Sequence, residues 1–109
     1  MDNPYIIVLI TVPSQEAGKQ VAHALLDQRL AACVNILPQV HSLYLWQGKT
    51  NADEELLLVV KSRAALFADR LVPAVKAVHP YEVPEIIALP VLMGSASYLE
   101  WIDQVTDQA

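Results

Sequence analysis

Glycine, cysteine and basic side chains are all scarce in this sequence, and each shortage removes a class of function. Three glycines in 109 residues, Gly18, Gly48 and Gly94, leave no glycine-rich loop to cradle a phosphate. The stretch Gly94-Ser95-Ala96-Ser97 is no nucleophile elbow, because no glycine follows at the required place; these serines suit the cap of a last helix. Cys33 stands alone, so no intrachain disulfide forms and nothing signals an oxidising compartment. Flanked by Ala32 and Val34, it reads as a buried structural thiol. Seven Lys and Arg face twelve Asp and Glu, a net charge of −5, and no basic cluster provides a nucleic-acid footprint. Arg29, Arg63 and Arg70 fall on or beside helices, which leaves no arginine for a phosphate cradle. The run from Tyr5 to Val12 stops at Pro13, too short for a membrane span or a signal core. A cytoplasmic chain without membrane or nucleic-acid partners is expected. His23, His41 and His79 show no close pairing, so His23 and His41 read as surface or packing residues, and no catalytic constellation emerges.

Apolar side chains, by contrast, are plentiful: 54% of residues, against 17% charged. The length suits one domain over residues 1–109. Residues 5–12 are short, β-branched and bounded by Pro4 and Pro13, which predicts a strand. Ser14 suits an N-cap, and the spacing of Val21, Leu25 and Leu30 predicts an amphipathic helix up to Leu30. A long second strand, bent near Pro38, is expected over 33–46, with a turn at "QGKTNA" and a third strand at 55–61. Asp53-Glu54-Glu55 reads as a solvated strand entry. Ser62 is placed to cap a second helix over 63–78, bent by Pro73. A fourth strand at 86–92 and a short helix around Tyr98, Leu99, Trp101 and Ile102 complete the chain.

This order, β-α-β-β-α-β plus a helix, predicts an α+β fold of the ferredoxin-like kind with an antiparallel sheet. Both main helices then cover one face. The other face should alternate with polar residues if exposed, yet residues 5–10, 56–60 and 86–89 are apolar throughout. Covering about nine such side chains, at roughly 1.5–3 kcal/mol each, is a gross gain on the order of 15–25 kcal/mol before association costs. Oligomerisation is expected; the alternative is that the closing helix hides the face.

The segment "HPYEVPEII" (79–87) admits a metal site, a recognition loop or a rigid lead-in to a strand. Pro80 and Pro84 push the residues before them to extended conformations. His79, Tyr81, Val83 and Glu85 then share one side and Glu82 takes the other. Six residues of strand separate His79 from Glu85 by about 20 Å, too far to chelate one ion without a sharp fold or a partner chain. Physics favours the lead-in, with Tyr81 and Glu85 as anchors.

"LAACVNILP" (30–38), "SLYLWQGK" (42–49), "HPYEVPEIIALPV" (79–91) and "YLEWI" (98–102) together closely resemble the CutA family of divalent-cation tolerance proteins. The resemblance implies a ferredoxin-like homotrimer, similar in plan to the PII signalling proteins, with a role in tolerance of copper or other divalent cations. Copper-binding bacterial members carry a cysteine at the end of the first strand and adjacent histidines before Pro-Tyr. Here those places hold Ile10 and Val78, and only His79 is retained. Since copper prefers thiolate and imidazole, the resemblance implies a weaker metal site through His79 and Glu85, with Glu82 or a partner chain assisting. Its likeness to PII proteins implies a second reading. Clefts between subunits, lined by Tyr81, Glu82, Trp46 and Lys49, would bind a small metabolite and report to a protein partner. A third is assembly alone, with the family blocks encoding a very stable trimer.

Overall fold

Strand β1 (Tyr5–Val12) buries every second side chain: Val8, Ile10 and Val12 are wholly enclosed while Tyr5, Ile7, Leu9 and Thr11 are half-covered. The computed structural model describes residues 4–108. Helix α1 (Gln15–Asp27) starts where expected, with the Ser14 hydroxyl accepting from the Ala17 amide at 3.1 Å, and ends three residues before Leu30. Gly18 lets it approach β1: a Cβ there would lie 3.3 Å from a Val12 methyl.

Strands β2 (Cys33–Trp46) and β3 (Lys49–Arg63) form one long hairpin. Its turn is only Gln47-Gly48, both at positive φ (54° and 75°), the two-residue loop whose twist matches the flanking strands. The bend near Pro38 is a β-bulge. Leu37 pairs with Leu57 but Val40 with Glu55, so β2 carries one extra residue there, with Gln39 at φ 62°. Helix α2 follows in three stretches, α-helical at Ala64–Leu66 and Val72–Val78 and π-helical at Phe67–Leu71. The π turn, closed by the Val72 amide on the Phe67 carbonyl, lies directly before Pro73, whose missing N–H would otherwise interrupt the ladder. Ser62 does not cap this helix. It is buried on β3, and its hydroxyl donates to the Leu30 carbonyl at 2.6 Å, holding the chain as it leaves α1.

Strand β4 (Ile86–Pro90) and helix α3 (Ala96–Val105) complete the domain. Ser95 precedes α3 without a side-chain cap; its hydroxyl meets that of Ser97 instead, at 3.1 Å. The sheet order is β2-β3-β1-β4 with every neighbour antiparallel, the ferredoxin-like arrangement. One face packs on α1 and α2 through Val8, Ile10, Leu58 and Val60 against Val21, Leu25, Leu66, Leu71 and Val75.

The second face carries Ile7 and Leu9, paired across β1 and β4 with Leu89 and Ile87. Helix α3 covers its Tyr5 end only, so the closing helix hides part of this face and leaves the rest open. Ile87 and Leu89 stay 50% and 47% exposed. Cys33 also belongs to this face. It is half-buried, not enclosed, with the Lys61 ammonium 4.0 Å from its sulfur, because its register partner is Lys61 rather than a core residue.

Candidate functional site

Helix α2 ends where Pro80 forbids another helical residue, and His79 turns extended at φ −75°, ψ 135°. That geometry carries the imidazole under the segment, where it is 7% exposed. Nδ1 accepts from the Tyr81 amide at 3.1 Å, so the proton sits on Nε2, which donates to the Thr11 carbonyl at 2.8 Å. Both ring nitrogens are therefore engaged, and a metal at either must displace a hydrogen bond.

Tyr81 supplies the second anchor. Its ring lies 4.9 Å from that of His79, and its hydroxyl donates to Glu55 at 2.7 Å. Burial, then the bond to Glu55, pushes this phenol well above its ordinary range. Glu55 is itself buried, so the acidic run is a solvated entry only at Asp53 and Glu54. Two residues along the same face, Asp53 accepts from Tyr44, a bond that raises the Tyr44 phenol as well. Each of these two carboxylates is thus met by a tyrosine. The expected strand at 55–61 begins at Glu55, whereas β3 runs through Asp53 as well, and the two-residue spacing of these carboxylates is the signal in the sequence that they share one face.

Glu85 does not anchor the segment; it and Glu82 are exposed. Among the described residues, no three His, Cys, Asp or Glu side chains sit close enough to hold a metal ion. Ile10 is enclosed beneath the helices and Val78 is 38% exposed. Trp46 pairs with Lys49 at the hairpin tip. Six strand residues, about 20 Å, separate Lys49 from Glu55 and its tyrosine. One chain therefore does not bring Trp46 and Lys49 to Tyr81 and Glu82. His23 is exposed on α1, where it borders an open hollow with Glu16, Lys19 and Val78.

Residues 6–105 match the family model described as CutA1 divalent ion tolerance protein. The chain is 52% identical over 100 residues to the divalent-cation tolerance protein CutA of Thermus thermophilus, covering 92% of this chain and 96% of the relative. It is 48% identical over 106 residues to the chloroplastic protein CutA 1 of Oryza sativa, covering 97% of this chain but only 59% of that longer protein. The crystal structure of CutA1 from Oryza sativa superposes with a TM-score of 0.93 at 48% identity, over 97% of this chain and 96% of that one.

Proposed function

The chain belongs to the CutA1 divalent ion tolerance family, and on that premise we propose that it serves cation tolerance as a homotrimer, binding a divalent ion weakly at the His79–Glu85 segment. The observation that carries this reading is the double anchoring of the segment. Thr11 and Glu55 hold His79 and Tyr81 down, and the same extended backbone leaves Glu82 and Glu85 exposed as carboxylate donors. Carboxylates suit hard divalent cations. Copper would add the imidazole, at the cost of one hydrogen bond worth about 1 kcal/mol, or roughly fivefold in affinity. With Ile10 and Val78 unable to ligate, the remaining donors would come from a partner subunit. A cytoplasmic location and a non-enzymatic role belong to the same reading. No described helix is long and apolar enough to cross a membrane.

Isothermal titration with copper(II) and manganese(II) tests it on the wild type, Glu82→Gln/Glu85→Gln and His79→Ala. The double variant should bind both metals several-fold more weakly, and His79→Ala should weaken copper alone. Equal affinities in all three proteins would remove the segment from the site.

The Tyr44–Asp53 and Tyr81–Glu55 pairs favour a second reading, since both lie on the face that a neighbouring subunit would close. A cleft formed there, with Trp46 and Lys49 contributed by the hairpin tip, would take a small metabolite in the manner of a PII-like sensor. A thermal-shift screen of nucleotides and organic anions discriminates the two, because a ligand of the folded state raises the melting temperature. A silent screen with metal binding intact would leave the cation reading; a silent screen and silent titrations would leave assembly alone.

A further inference from the structure

We propose that α3 is a releasable strap, closed across one end of the sheet by a polar clasp on Asp107 and able to open while the four-stranded body stays folded. The helix is poorly held by apolar contact. Of its ten residues only Ile102 is buried, while Tyr98 and Trp101 remain 41% and 38% exposed.

Its hold comes from beyond its last turn. The Asp107 amide donates to the Arg29 carbonyl at 2.8 Å, at the end of α1. The Asp107 carboxylate takes Arg70 of α2 at 2.5 Å, and its carbonyl accepts from Arg63 of β3. Arg63 also donates to the Thr106 hydroxyl at 2.8 Å, and Tyr5 of β1 donates to Asp103 at 2.5 Å. The chain's three arginines thus all meet one residue, two through their guanidiniums and one through its backbone. The charged and titratable groups facing the clasp are Arg63, Arg70, Asp103 and Tyr5, from β3, α2, α3 and β1 in turn. The two guanidiniums and the two carboxylates lie at the surface or are only part-buried, where water and salt compete for each bond.

The Arg70 hydrogen bond holds the Asp107 carboxyl below its ordinary range, against a smaller opposing push from burial. A lowered folded value means that the clasp is complete above the ordinary carboxylate range and is lost as pH falls through the lowered one. Opening would uncover Tyr5, Lys61 and Cys33 and extend the exposed apolar face around Ile87 and Leu89. High salt acts in the same direction.

Hydrogen exchange on the 109-residue chain tests this at one fixed concentration, with rates corrected for intrinsic pH dependence. Asp107→Asn should speed exchange of the amides over 99–106 at least tenfold at neutral pH and leave the β1 and β3 amides unchanged. Arg70→Gln should reproduce this. In the wild type the same amides should lose protection between pH 7 and pH 3 ahead of the sheet, and in Asp107→Asn that separate step should be gone. The proposal is overturned if α3 amides exchange only with the sheet in every variant, or if both substitutions leave α3 as protected as in the wild type.

Discussion

His79 and Tyr81 show how few atoms fix the segment they begin. Their partners, the Thr11 carbonyl and Glu55, lie 68 and 26 residues away in sequence. Two prolines made the rigidity of the segment legible; no local pattern could say which groups would receive it. Replacing Tyr81 with Phe leaves a buried carboxylate without its donor and should cost about 1–2 kcal/mol in urea unfolding. Adding Glu55→Gln should recover part of that loss, since the residual penalty is a desolvated charge. All four tyrosines should also ionise late. Tyr5 and Tyr44 are raised chiefly by hydrogen bonds to Asp103 and Asp53, and Tyr81 and Tyr98 chiefly by burial. A raised folded value means that their contribution is complete below the phenol's ordinary range and is lost as pH climbs through the folded values. Absorbance titration should find the folded protein ionising its tyrosines at higher pH than the unfolded chain, and Tyr81→Phe should remove the latest step.

Elements with signals at their own boundaries were the ones the sequence announced. β1 is a β-branched run set between Pro4 and Pro13, α1 carries a stripe and a serine cap, and both begin where the pattern places them. Ser14→Ala should cost about 1 kcal/mol, read from the urea midpoint, because the Ala17 amide then loses its acceptor. The hairpin arm was harder to read. Residues 49–54 pair with β2 alone and are largely exposed, so their polar composition resembles a loop although every one lies on a strand. Ser62 misleads for a related reason: a hydroxyl before a helix reads as a cap, but this one sits on the enclosed face and is drawn to the Leu30 carbonyl. Pro73 was legible as an irregularity and not as its type. A π turn and a plain kink both answer a missing N–H, and the choice depends on how Leu66, Leu71 and Val75 reach the core.

At the scale of the molecule, the apolar excess in the composition becomes a sheet with one face covered and the other covered only at its ends. The His79 segment reaches the second face at Glu55 and α3 covers the Tyr5 end; between them Ile7, Leu9, Ile87 and Leu89 form a continuous apolar strip. Placing charge in that strip should break the proposed trimer. Ile87→Lys/Leu89→Glu is expected to sediment at low micromolar loading toward the 12.0 kDa of one chain, while the wild type sediments at about three times that mass. A wild-type protein that stays folded at the mass of a single chain would remove the trimer. The extra residue of β2 reaches further. Cys33, Asn35 and Leu37 share a face with Tyr44 and Trp46 only because the strand miscounts once at Pro38-Gln39. Removing Gln39 would take out the miscount itself: Leu37 and Val40 would keep Leu57 and Glu55 as partners, and the arm would hold its facing while losing its bend. Ironing the bulge flat with Gln39 kept in the strand would instead turn Leu43 and Leu45 to where Tyr44 and Trp46 point now, and Asp53 would lose its phenol without any change to a residue that touches it.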